Sequence, residues 1–128
     1  MSLIEKTALF VQKELSHAEG GHDWLHTERV WINAKRIAQE ETNCNLQVVE
    51  LAALLHDVAD SKFHDGNETL GSEKAFQFLN EKLQPSILNH VISIIENVSY
   101  KGGQKRTFSS LELDIVQDAD RLDAFCPV

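Results

Sequence analysis

Cysteine is scarce in this chain: Cys44 and Cys126 are the only two, far apart and in no CxxC spacing. That leaves no disulfide framework and no thiolate zinc site, and it fits a reducing compartment. Long apolar runs are missing too, since no stretch approaches the roughly 20 residues needed to cross a bilayer. The first residues, Met1-Ser2-Leu3-Ile4-Glu5-Lys6, place an acid early and lack the basic and apolar regions of a signal peptide. The expected location is cytoplasmic, with no membrane partner. Positive charge is in short supply, with 12 Lys and Arg against 20 Asp and Glu and a net charge of −8. Long-range repulsion of phosphate then argues against stable nucleic-acid or anionic-membrane binding. A single nucleotide, held by a local basic patch or a bound cation, is not excluded. Strand signatures, internal repeats and low-complexity tracts are also lacking.

What is present suits one compact domain: 128 residues, 42% of them hydrophobic and 25% charged. Apolar residues recur at helical spacing almost throughout. Ser2 caps a first helix reaching residue 16, striped by Ile4, Ala8, Val11 and Leu15. A second helix is expected over 23–41 with Asp23 as N-cap, a third over 46–59 and a fourth over 69–83. The fifth covers 87–98 with Pro85 in its first turn, and Ser109 or Ser110 caps a last helix containing Asp120. Gly20-Gly21, Gly66 and Gly102-Gly103 mark connections. The expected fold class is all-α, a bundle of about six helices.

Three of these helices point polar groups inward. His26 shares a stripe with Val30, Ala34, Ile37 and Ala38; His56 with Val49, Ala52, Ala53 and Ala59; Asp120 with Leu113, Val116 and Ala124. Asp57 lies about 100° round the helix from His56. Singly, each has an ordinary explanation: a hydrogen-bonded core histidine, or a carboxylate paired with Arg29 or Arg121. Jointly, they are costly to bury unless they converge on one cation. Two neutral imidazoles and two carboxylates sum to about −2, which a divalent ion neutralises. Four protein ligands around a six-coordinate ion leave room for water and a substrate oxygen, favouring Mn, Fe, Co, Ni or Mg over a closed structural zinc site. Such a cation lowers the pKa of water and polarises a phosphoryl oxygen.

The order His26, His56-Asp57, Asp120 resembles the H…HD…D signature of the HD-domain metal-dependent phosphohydrolases. His26-Thr27-Glu28-Arg29-Val30 resembles that family's HxxRV helix, and Leu54-Leu55-His56-Asp57 its LLHD segment. Asp118-Ala119-Asp120-Arg121-Leu122-Asp123-Ala124 resembles its DADRLDA helix. The flanks Gly21-His22-Asp23-Trp24 and Ser99-Tyr100-Lys101-Gly102-Gly103 look like the bacterial branch of pyrophosphohydrolase-type and uncharacterised HD proteins. The resemblance runs from about Gly21 to Ala124 and implies a fold with its metal site between helices. It assigns metal ligation to His26, His56, Asp57 and Asp120, and implies a metal-activated water near Asp57.

Other residues carry expectations of different weight. Asp60 is placed to orient that water or take its proton, or else it simply ends a helix. Lys62 either reaches a phosphate or is a solvated loop charge. Lys101, Lys105 and Arg106, the one concentration of positive charge, are candidates to neutralise a triphosphate tail or are plain surface. Arg29 is expected to fix a carboxylate rather than touch substrate. Trp24 and Trp31, seven apart, read first as packing, and His17 and His90 as helix-surface or helix-end residues.

The chain stops eight residues past Asp120, at Phe125-Cys126-Pro127-Val128, where helices usually continue in that branch. The expectation is a single HD-type domain over 1–128 lacking C-terminal helices, with an exposed apolar face, an incomplete pocket or a homodimer surface. Two functions compete. One is a divalent-metal phosphohydrolase cleaving a phosphomonoester or pyrophosphate bond of a nucleotide or related small phosphate ester. The other is a catalytically silent metal- or nucleotide-binding helical module. A metal-free salt-bridge network is the blandest alternative.

Overall fold

Residues 1–16, 24–58, 70–98 and 107–125 are described by the structure, a computed structural model, with side chains up to 123 in the last segment. Within them the chain forms α1 (Leu3–Leu15), α2 (Trp24–Gln39), α3 (Leu46–Leu55), α4 (Leu70–Leu79), α5 (Pro85–Val98) and α6 (Leu111–Phe125). The all-α expectation holds. The connections expected around Gly20, Gly66 and Gly102 fall outside the described residues, as does Asp23.

Helix starts follow from side chains that satisfy otherwise orphaned N–H groups. The Ser2 hydroxyl accepts from the Glu5 N–H at 3.1 Å while the Glu5 carboxylate reaches back to the Ser2 N–H, a reciprocal cap on α1. Asn45 caps α3 by accepting from the Val48 N–H at 3.2 Å. Its own N–H donates to Glu112 of α6 at 2.8 Å, so the start of α3 is fastened to α6. Ser110, not Ser109, caps α6 by accepting from the Leu113 N–H at 3.1 Å.

The core is built around α3. Every residue from Val48 to Leu55 is buried, and α3 packs against α1, α2, α5 and α6. A helix apolar on all sides is stable only when neighbours surround it. Leu51, Leu54 and Leu55 are fully buried with Leu79, Ile94 and Leu113. Each such side chain contributes about 1.5–3 kcal/mol relative to exposure. The one acid in this stretch, Glu50, is also buried and accepts from the Trp31 indole N–H at 3.0 Å. Trp31 in turn lies 6.3 Å from Trp24, the packing expected of their spacing.

Two helices end earlier than their periodicity predicts. α3 stops at Leu55 rather than 59, and the His56 side chain folds back there: its Nδ1 bonds the Ala53 carbonyl at 2.7 Å. That side chain satisfies one of the last carbonyls of α3, and the Val58 N–H closes on Leu55 O at 3.3 Å. α4 stops at Leu79 rather than 83, where Glu81 takes φ 69° and the Lys82 N–H returns to Leu79 O at 2.9 Å. A side chain in this left-handed region costs roughly 1–2 kcal/mol, so the turn is held against local preference. Neighbouring contacts help: the Lys82 ammonium donates to Phe78 O at 2.6 Å and sits 4.9 Å from the Phe78 ring centroid. Phe78 itself stacks on Phe10 of α1 at 4.3 Å.

α2 and α6 are amphipathic. α2 buries Thr27, Val30, Ala34 and Ala38, and α6 buries Leu113, Val116 and Ala119. These two helices touch each other and α3, so the three helices carrying inward polar residues are mutual neighbours. Among the described residues no helix is long and apolar enough to cross a membrane.

Candidate metal centre

The neighbouring helices bring the four expected ligands together. α2 supplies His26 near its N-terminus, the end of α3 supplies His56 and Asp57, and α6 supplies Asp120. His56 and Asp57 lie in the turn after α3, not inside a helix. The corresponding ligand atoms of His26, His56 and Asp57 all lie within 4.8 Å of one another. Asp120 Oδ1 is 3.2 Å from His26 Nε2 and 3.4 Å from His56 Nε2. The rings meet edge to face with centroids 5.5 Å apart.

His56 shows why a cation suits this arrangement. Its Nδ1 is committed to the Ala53 carbonyl, yet its buried Nε2 makes no hydrogen bond despite the nearby Asp120 oxygen. An aligned hydrogen bond would normally satisfy such a nitrogen. A lone pair on Nε2, beside a second imidazole and two carboxylates, is an N/O donor set for a divalent ion.

Without a cation, the charges compensate one another. The Asp120 carboxylate pushes His26 up from 6.5 to about 9, against the opposing effect of burial and with help from Asp123. Burial works to depress His56, but its contacts with Asp120 and Asp57 prevail and raise it. Burial likewise works to raise Asp120, but the imidazoles of His26 and His56 close beside it hold it well below the carboxylate range.

A second carboxylate stands behind His26. Asp123 Oδ2 accepts from His26 Nδ1 at 2.5 Å. Arg29, one turn along α2, donates to both Asp123 oxygens, through Nε to Oδ1 and through Nη2 to Oδ2 at 3.3 Å. Arg29 is expected to fix a carboxylate, and Asp123 is a carboxylate that it holds. Arg29 holds Asp123 below the usual carboxylate range, against burial and with His26 adding to the effect. No role is assigned to Asp123 from the chain alone, although its i+3 spacing from Asp120 puts both acids on one face of α6. That spacing is the signal that could have found it.

Beyond Asp123 a cleft of about 330 Å³ opens between α2 and α6, lined by Arg29, Ile32, Asn33, Leu122 and Asp123. His90, expected at a helix surface or end, instead joins α5 to α6: its Nε2 lies 3.0 Å from Ser110 Oγ and its ring meets Phe108 edge-on. Asp60, Lys62, Lys101, Lys105 and Arg106 lie outside the described residues.

A profile of the HD domain family matches residues 24–124, and the chain belongs to that family. Among its relatives, YpgQ of Bacillus subtilis (strain 168) is 36% identical, over 94% of this chain and 59% of its own length. An HD-superfamily hydrolase from Bacillus thuringiensis matches in structure with TM-score 0.74 and 39% identity, covering 94% of this chain and 57% of that one. The crystal structure of Bacillus subtilis YpgQ in complex with ADP matches with TM-score 0.70 and 35% identity over 94% and 57% of the two chains. The chain thus spans a little under three fifths of the length of these relatives.

Proposed function

We propose that this chain is a divalent-metal-dependent phosphohydrolase acting on a nucleotide or related small phosphate ester. The observation that carries the reading is the convergence of His26, His56, Asp57 and Asp120 from three helices, with a buried His56 nitrogen left without a hydrogen bond. When bound, a divalent cation such as Mn, Mg, Co, Ni or Fe supplies positive charge beside a phosphoryl oxygen and a more acidic water. His56 offers Nε2 because Ala53 holds its other nitrogen, and His26 offers Nε2 because Asp123 holds its Nδ1. Asp57 and Asp120 balance the cation's charge and leave coordination positions open. The complex of YpgQ with ADP supports a nucleotide as the substrate class. In this reading Asp57 and Asp60 orient the attacking water, Lys62 meets the phosphate, and Lys101, Lys105 and Arg106 neutralise the rest of a polyphosphate.

A nucleotide screen with several divalent metals tests the proposal, with phosphate, pyrophosphate and triphosphate release measured separately. The expected result is metal-dependent release from at least one nucleotide, abolished together with metal retention by Asp57→Ala or Asp120→Ala. Hydrolysis undiminished in those variants would remove the assignment.

A further inference from the structure

Of the two histidines in the centre, His56 is held by a main-chain carbonyl of its own helix, while His26 bonds a carboxylate of another helix. Its ring is aimed by Asp123, 97 residues away on α6. From this geometry we infer that Asp123 is a positioning residue: it holds His26 with Nδ1 protonated and Nε2 facing Asp120, and Arg29 holds Asp123 in register. The inference rests on the metal-centre reading above.

Three observations carry it. The Asp123 side chain is only 7% exposed, so its carboxylate is buried with defined partners and is not a solvated surface charge. Both its oxygens are engaged, Oδ1 by Arg29 and Oδ2 by Arg29 and His26, which fixes the carboxylate plane. The bond to Nδ1 leaves Nε2 as the ligand-capable nitrogen, the one lying 3.2 Å from Asp120. A carboxylate on the far nitrogen of a metal-binding imidazole sets its tautomer and orientation and raises its basicity. Asp120 and Asp123 therefore divide the work on one face of α6: Asp120 faces the cation, and Asp123 aims the imidazole that meets it.

Two substitutions separate positioning from packing. Asp123→Leu keeps the branched shape and removes the acceptor. Asp123→Asn keeps an acceptor and removes the charge. Both are assayed by Co²⁺ titration followed through the metal's visible absorption, and by the downfield ring N–H resonance of His26 in the metal-free protein. Helical circular dichroism reports folding. The expected result is Co²⁺ affinity lowered about 10–100-fold by Asp123→Leu, with an altered absorption band and loss of the His26 resonance. Asp123→Asn restores part of both. If Asp123→Leu does not fold, Asp123→Asn alone still shows a weakened affinity and a shifted resonance. Wild-type affinity in a folded variant overturns the positioning role. An unchanged His26 resonance overturns the pairing itself. Failure of the wild-type protein to bind Co²⁺ removes the metal-centre reading and the positioning role with it, while the resonance still judges the pairing.

Discussion

The two sides of the metal centre are built by different physics. On the α3 side, His56 is buried behind eight consecutive buried residues and anchored to a carbonyl three positions back. On the α2–α6 side, His26, Asp120 and Asp123 are held mainly by one another and by Arg29, with Asp120 about one-third exposed. Apolar packing does not titrate and is not screened by salt, whereas a half-exposed network of opposite charges responds to pH and to screening. One side supplies a fixed wall, and the other a polar arm that closes on it.

The largest effect should come from cutting the polar arm where it meets the wall. Asp120→Ala leaves His26 and His56 without their shared carboxylate, and elemental analysis after reconstitution should find metal retention lost. Retention at the wild-type level would show that the α3 side suffices. Next, Leu54→Ala opens a cavity directly beneath the wall. Denaturant unfolding should register a loss of about 2–5 kcal/mol. A loss well under 1 kcal/mol would mean that α3 tolerates repacking and is no rigid wall.

A subtler effect separates the sides by pH in the metal-free protein. His26 is raised to about 9 from 6.5, so the stability it contributes is complete below pH 6.5 and is lost as the pH rises through 9. Asp120 is depressed, so its contribution is present above 3.8 and is lost as the pH falls through its lower folded value. Thermal melts of the metal-free protein should therefore be highest between about pH 3.8 and 6.5, and His26→Gln should reduce the alkaline loss to the part contributed by His56, which is raised as well. An alkaline decline that persists unchanged in His26→Gln would place its origin elsewhere. Smallest of all, Ser2→Ala removes the α1 cap, far from both sides of the centre. It should cost about 1 kcal/mol in unfolding experiments and leave metal affinity unchanged.

These contrasts bear on how much was legible in the chain. The helices and their inward polar residues follow from periodicity, because burial of a helix face leaves a repeating trace. Where α3 ends does not follow: the run through Val58-Ala59 reads as continuous helix, yet α3 ends at Leu55, with His56 bonded back to Ala53. Asp123 leaves one local trace, its i+3 spacing from Asp120, but its pairing with His26 and Arg29, 97 and 94 residues away, leaves none. Glu81 is a third case, since a residue with a side chain in a left-handed turn carries no glycine to announce it.

The separation between His26 and Asp123 also has a consequence in time. During synthesis His26 is made 97 residues before the group that aims it, so the centre cannot be assembled while the chain is still growing through α4 and α5. Closing so long a loop is entropically slow, and the contacts of α3 with α1 and α2 are available first. Until α6 arrives, the buried faces of α2 and α3 lack part of their cover and His26 lacks Asp123 to turn it. Assembly of the candidate centre therefore follows folding order: the apolar wall can form first, and the four side chains come together only once α6 has packed.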